Sequence, residues 1–570
     1  MKPGKKPSTK NPGKASVPKS PSILFDKIDE WIDRKKTVLL YIIFSSCIVF
    51  SFLLFSTRIS EAHDDSLYME AGYNYAKNFT TYYYTANAPF YPMFLALPIS
   101  LFGLNLILLK LLSVAFNFFH LYFLYKAFEK RIPNLILFSV LFITAINFMF
   151  LYFATYTYSE AFFLFFQSLF FYLFFRLTDA LDSADNELKK TYKKWLYVGC
   201  IAFIMSLTKN VAIIVVPAIG FFFLVNKNYR YALYSIVSFL CFKIPFEIIK
   251  KLIWNQTNQY AQGAILLQKD PYNASAGKED LAGFIGRIYD NSLLYLSKRF
   301  FQILGFLSEE SVAVSLGLTV LVIVLLLFGF YRSVKSSNKP LIFSTIYFSS
   351  MTLASFIILQ ARWDQPRIIM IYISLILFVV FYGFYDLLHK KFIFFQRFFL
   401  LIVIATMASV LISSTRRAKI NAPILSKSIK GDIYCGYTLD WVNFLKMSEW
   451  CGENLPDSAL VVSRKAPMSF VYAKGKKFFP LYQVISVDTT TKMSNPDSVL
   501  AVFKRSKVTH VIVASLRSNP EKADGNIINT VHRVLYPVMN KYPDKVKLVY
   551  QIPEKGQPQI EPAYLYQITY

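Results

Sequence analysis

WLYVGCIAFIMSLTKNVAIIVVPAIGFFFLV, at 195–225, is a run of about thirty apolar residues interrupted in its middle by Lys209–Asn210. A helix needs roughly 20 residues to cross a hydrocarbon core of ~30 Å. The stretch is therefore too long for one ordinary span and just long enough for two short ones. The choice sets the sidedness of everything downstream. One tilted helix would place the basic connections YRSVKSSNKP (331–340) and HKKFIFFQR (389–397) outside, against the Lys and Arg excess of cytoplasmic loops. A hairpin of two short helices, with Lys209 at its outer end, puts both inside, along with KAFEKR (126–131) and NKNYR (226–230). The hairpin is the reading adopted here, although the long loop at about 250–300 also carries several Lys and Arg.

Working outward, the whole chain shares this character. Its 570 residues are 55% hydrophobic and only 17% charged, where a soluble domain is about 25% charged. The apolar excess collects into runs such as VLLYIIFSSCIVFSFLLF (38–55) and VAVSLGLTVLVIVLLLFGF (312–330). That excludes a single soluble core. The formal charge of +27 fits basic loops and a tail facing anionic lipid, not a nucleic-acid partner. The fold class expected is a polytopic α-helical membrane protein of about eleven membrane segments: 38–56, 105–125, 134–151, 159–177, the two hairpin arms, 231–249, 311–331, 341–359, 368–388 and 398–414.

Residues 1–22, rich in Lys, Pro, Gly and Ser, read as a disordered basic cytoplasmic tail. A signal peptide is disfavoured, because the following apolar run is long and no small-residue cleavage site follows it. The transmembrane domain then occupies 23–414, with external loops at 57–103 and 250–300. From 415 to 570 the composition becomes ordinary. Helical patterns at 440–454 and 526–542 alternate with strand-like ALVVS (459–463), HVIVAS (510–515), KLVYQI (547–552) and YLYQITY (564–570). These predict a small extracytoplasmic α/β domain. Cys47, Cys200 and Cys241 fall in membrane segments as small packing residues. Cys435 and Cys451, sixteen residues apart in the outer domain, suit either a disulfide or two thiols. Sequons at Asn78, Asn255 and Asn273 all fall in loops read as external.

The strongest chemical signal is EAHDDSLYMEAGYNYA (61–76), directly after the first span. A carboxylate beside an apolar surface loses hydration, and its raised pKa makes it a better base. Asp64 and Asp65 are also in place to cap a helix beginning near Ser66. Glu160, in TYTYSEAFFLFF (155–166), opens the fourth span on its outer side. An ionisable group at that depth is a functional candidate, able to bind hydroxyls or a cationic partner, or to serve as an N-terminal helix charge. The aromatic stretch TTYYYTANAPFYP (80–92) suits an interfacial belt or a stacking surface for sugar or lipid.

An acidic pair after the first span, then Tyr68, then NAPFYPMFLALP (87–98), resembles the membrane-integral glycosyltransferases of the GT-C fold. It looks most like the protein mannosyltransferase and aminoarabinose transferase superfamily, which uses polyprenyl-phosphate sugars. SLTKN (206–210) resembles that family's L-T-K-G element, with Asn210 in place of Gly; RWDQP (362–366) resembles its R-aromatic-x-x-P element; and 441–479 looks like the start of its outer domain. The resemblance implies inverting transfer of a hexose or pentose from a polyprenyl-phosphate donor to an extracytoplasmic protein, lipid or glycan. It implies Asp64 as base and Asp65, where Glu is commoner, as orienting the acceptor or sharing the role. Lys209 and Arg362 would hold the phosphate, with Arg367 as a third cation and Glu160 and Tyr68 as further substrate contacts. No cofactor is assigned. Some relatives need a divalent cation, but His63–Asp64–Asp65 in a row is a poor chelate. The expected location is a bacterial inner membrane, with the outer domain in the periplasm. The rival class is a transporter or flippase, which usually shows internal repeats and midplane charges; here no repeat is evident and the ionisable candidates gather at one face. A catalytically dead scaffold is the third.

Overall fold

The computed structural model describes residues 24–62, 64–182, 188–255, 266–270, 277–389, 391, 393–486, 491–518, 526–528, 530–558 and 560–570. The basic tail, His63 and the sequon at Asn273 lie outside the described residues.

Helices build the membrane part. Seven of those described are long and apolar enough to cross a bilayer: Leu24–Leu53, Leu106–Phe128, Ser159–Leu181, Tyr229–Trp254, Leu316–Lys335, Lys339–Ile358 and Ile393–Ile429. Asn134–Ile146 and Phe148–Thr155, bent by 48°, make an eighth if they form one span. The bend falls at Asn147, whose backbone is extended and whose side chain accepts from the Met149 N–H. The stretch at 195–225 is divided as its sequence suggested. Leu188–Thr208 ends at Lys209, whose backbone is extended (φ −140°, ψ 128°), and a 3-10 turn at Asn210–Ile214 leads into Val215–Val225. Both arms pack against Tyr229–Trp254. Each of the eleven expected segments is helical.

Small residues let these helices touch. A Cβ on Gly329 would lie 2.6 Å from the Val379 carbonyl oxygen, and one on Gly383 would lie 2.8 Å from the Gly329 Cα. That is the close backbone approach small residues permit in membranes. At the inner end, Lys36–Glu129 (2.5 Å), Arg332–Asp386 (2.5 Å) and Tyr385–Asp29 (2.6 Å) tie spans together around a hollow of about 840 Å³.

The outer end is built differently. The stretch after the first span folds into two helices, Asp64–Asn78 and Phe90–Phe102, packed on each other. The second turns Leu97, Leu101 and Phe102 outward, a face suited to lipid. The final long helix, Ile393–Ile429, has 37 residues and so is ~55 Å long at 1.5 Å per residue. It carries the chain well past 414; the composition change at 415 lies within a helix, because backbone hydrogen bonding does not depend on side-chain polarity.

Beyond it is a five-stranded sheet: β1 (Leu460–Ser463), β2 (Phe478–Pro480), β3 (Val508–Ala514), β4 (Val546–Ile552) and β5 (Ala563–Ile568). The order is β2-β1-β3-β5-β4, with β1 parallel to β2 and β3, and β5 antiparallel to β3 and β4. Strand alternation sends Val462, Val511 and Val513 to one core, under Pro496–Arg505 and Thr530–Lys541. It sends Val461, Ile512 and Leu565 to the other, under Leu439–Asn454 and Ala466–Tyr472. That second core does not stop at the domain. It continues into Met69, Tyr75, Tyr84, Tyr91 and Leu95 of the external loop. Cys435 and Cys451 are free, buried thiols; the Cys435 Sγ lies 3.0 Å from the Ser428 Oγ.

Candidate active site

Asp64 and Asp65 open the helix Asp64–Asn78, where unpaired N–H groups and the helix dipole favour carboxylates. They do different work. Asp65 is 0% exposed, and its two oxygens accept the N–H groups of Ser60 and Ser66, each at 2.9 Å. Burial pushes its carboxyl up, against the opposing pull of Lys110 and of those two N–H groups. Asp65 is thus committed to holding the loop backbone. Asp64 is partly exposed, and its Oδ2 accepts from the Arg367 Nη2 at 2.6 Å.

Arg367 begins a helical turn immediately after Pro366. Its Nε donates to the Gln365 Oε1 at 2.8 Å, its guanidinium sits 5.4 Å over the Tyr158 ring, and its Nη1 is 3.7 Å from the Glu160 Oε1. Glu160, the second residue of Ser159–Leu181, is 0% exposed and receives the Lys209 Nζ at 2.7 Å. The four charges alternate as Asp64, Arg367, Glu160, Lys209, drawn from four segments and gathered at the outer end. Lys209 reaches Glu160 because the hairpin breaks there.

Of the other expected residues, Tyr68 joins this cluster, its hydroxyl beside Ser159 and Glu160, and Arg362 is paired elsewhere. Arg362 lies in the 3-10 turn Ala361–Trp363, its Nη1 3.2 Å from the Asp270 Oδ1. Asp364 is held by Lys298 (2.7 Å) and Arg299 (2.6 Å). The loop 362–367 is therefore pinned by its first residues and presents its last. Tyr68, one turn after Asp64, is buried edge-on to Tyr91 at 5.4 Å and to Tyr84 at 6.2 Å.

Sequence reading missed three cations. Lys110 is 0% exposed and donates to the carbonyls of Arg58 and Thr155. Arg58, also buried, donates to the Gly436 carbonyl at 3.0 Å. Lys465, from the C-terminal domain, donates to the Glu61 carbonyl. Lys110 left a signal, an ammonium inside the apolar run LILLKLLSV (106–114), which is a candidate by default. Lys465 left none, since nothing local says which lysine of a soluble domain faces the membrane.

Among the described residues no group of three or more His, Cys, Asp or Glu could hold a metal ion. Asp65 is bound to amides, and Asp64 and Glu160 to cations.

No family model matches the sequence, and no curated protein is significantly similar to it. Solved structures do match. ArnT from Cupriavidus metallidurans, bound to undecaprenyl phosphate, aligns with a TM-score of 0.54 at 11% identity, over 94% of this chain and 98% of that one. The Archaeoglobus fulgidus oligosaccharyltransferase, in complex with Zn and sulfate, aligns with a TM-score of 0.54 at 15% identity, over 82% and 67%. The AglB oligosaccharyltransferase of the same organism, with an inhibitory peptide and a dolichol-phosphate, gives 0.51 at 14%, over 85% and 70%. At these identities the likeness is one of fold.

Proposed function

We propose, from a chain that has the GT-C fold of these membrane glycosyltransferases, that it moves a sugar from a polyprenyl-phosphate donor to an acceptor hydroxyl on the outer side of the membrane, with inversion. The observation that carries this reading is the alternating set Asp64, Arg367, Glu160 and Lys209 at the outer end of the bundle, beneath the C-terminal domain. The polyprenyl phosphates bound to two of the neighbours support the donor class.

The chemistry needs a base for the acceptor and cations for the leaving phosphate. Asp64 takes the acceptor proton; the acceptor oxygen attacks the anomeric carbon; the bond from that carbon to the phosphate oxygen breaks; and polyprenyl phosphate departs with the electron pair. Arg367 and Lys209 receive its charge, Arg as a fork and Lys as a point charge. Glu160 holds both cations in place while they wait. Arg367 already holds Asp64, so an arriving phosphate competes for the guanidinium and releases the carboxylate to act as base. Asp65 positions the loop, and Tyr68 lines the site beside Asp64, Glu160 and Arg367. The setting is a bacterial inner membrane with the C-terminal domain in the periplasm.

The test is release of polyprenyl phosphate by the purified protein in nanodiscs, with a panel of polyprenyl-phosphate sugars and a lysate as acceptor source. Asp64→Asn is expected to lower release by ~10²–10⁴-fold, the contribution of a positioned base, while melting as the wild type does. Equal release by both proteins would remove Asp64 from the mechanism. A product keeping the donor's anomeric configuration by NMR would sink the inverting step.

A further inference from the structure

The sheet of the C-terminal domain reverses direction at β1. The chain leaves β1 for β2 on one side, and the next strand, β3, joins on the other. In open α/β sheets, ligands sit outside the carboxyl ends of the strands at such a reversal. The residues just past those ends are Arg464 and Lys465 after β1, and Tyr482 after β2. The Arg464 guanidinium lies 5.9 Å over the Tyr482 ring, and its Nε is buried with no hydrogen-bond partner among the described residues. A buried donor without a partner calls for an explanation.

The Asp64 helix packs beside these strand ends, against Ala466–Tyr472. Lys465 donates to the carbonyl of Glu61, three residues before Asp64. The helix presents Glu70, Tyr73 and Asn74, spaced i, i+3 and i+4 and hence on one face. Tyr73 packs against Phe470 at 5.3 Å and against Gly475, where a Cβ would come 2.9 Å from the ring; this contact closes one wall. Glu70, half-buried, makes no hydrogen bond or ion pair among the described residues, and its charge is felt by Tyr82 and Tyr482. Six residues separate it from Asp64, ~9 Å along the helix, a distance on the scale of a short saccharide.

We infer that this seam, lined by Arg464, Tyr482, Glu70 and Tyr82 and leading past Lys465 to Asp64, is a carbohydrate subsite that receives a saccharide-bearing acceptor. Sugar hydroxyls donate to Glu70 and accept from Arg464, and the phenol rings face the C–H surface of the sugar. Glu70 faces Lys477, and Arg464 lies over the Tyr482 ring, so the seam carries both signs of charge, which suits a neutral saccharide. The donor phosphate has its own cations, Arg367 and Lys209, on the membrane side of Asp64. The acceptor role rests on the transferase reading; saccharide binding does not.

The test is saturation-transfer NMR of the full-length protein in nanodiscs with four neutral disaccharides: maltose, cellobiose, lactose and chitobiose. At least one should bind the wild type, with signals at least fivefold weaker in Glu70→Gln and Arg464→Gln and unchanged in Lys541→Ala on the far face of the domain. Arg464→Lys and Tyr482→Phe, which keep bulk, serve if the first variants melt early. No disaccharide signal in the wild type, or equal signals in the seam variants, overturns the subsite. Disaccharide binding without release of polyprenyl phosphate from any donor would retain the subsite and sink the transferase. Release in which a hydroxyl-bearing peptide serves as well as a glycan, with no disaccharide bound, would do the reverse.

Discussion

The Glu160 carboxylate has no exposed surface and faces two cations. Changing it to Gln keeps the shape but leaves Lys209 and Arg367 without their shared countercharge. Breaking a buried pair from one side costs about 3–5 kcal/mol, so Glu160→Gln should melt well below the wild type in a fluorescence thermal scan. Lys209→Met should add little to that loss, because the partner is already gone. Lys110→Met should lower stability by about 1–3 kcal/mol, since two buried carbonyls lose their donor. Glu160 and Lys209 were legible in the sequence for the same reason that they matter: a charge amid apolar neighbours stands out. Which arginine of RWDQPR enters the site was not legible. Arg362 and Arg367 carry the same side chain, and the choice is made by the 3-10 turn at Ala361–Trp363 and the left-handed backbone of Asp364 (φ 36°), which side-chain chemistry does not announce.

At the scale of elements, Leu316–Lys335 and Ile373–Leu388 approach through Gly329 and Gly383. Gly329→Val forces a branched side chain against the Val379 backbone. Overpacking of this kind typically costs 1–3 kcal/mol, and the expected result is a lower melting temperature in detergent. The hairpin at 188–225 could be foreseen because Lys209–Asn210 interrupts it. The bend at Asn147 could not, since the residues on both sides are apolar and read as a single span from 134 to 151. In the loop at 57–103 the carboxylates announced a helix starting near Ser66, but the second helix, Phe90–Phe102, was concealed in an aromatic, Pro-containing run that also suited an interfacial belt.

For the whole molecule, the seam between domain and outer helices should respond to pH. Burial pushes the Glu70 carboxyl up to about 7 from its ordinary 4.5, with Lys477 pulling the other way; Tyr82 and Tyr482 are its other ionisable neighbours, and Arg464 lies over the Tyr482 ring. A raised value means the folded state holds the proton more tightly. The stabilisation is complete below about pH 4.5 and is lost as pH rises through about 7. The wild type should therefore melt level with Glu70→Gln near pH 4 and below it at pH 8. The α/β class of the domain was readable from its alternating strands, but its sharing of a core with the external loop was not, because partners so distant in sequence leave no local pattern.

That shared core also imposes a timetable. Tyr68, Met69, Tyr84 and Tyr91 are synthesised some 370 residues before the partners that cover them, from Trp441 to Leu565 in β5. At ~5–20 residues per second, the side of their aromatic face that the domain covers waits about 20–75 s for its partners. A message cut short before Trp441 yields a membrane-inserted chain with that face uncovered, a ready substrate for quality-control proteolysis. Because β5 is made after every other part of that core, insertion into the bilayer and completion of the core are separated in time.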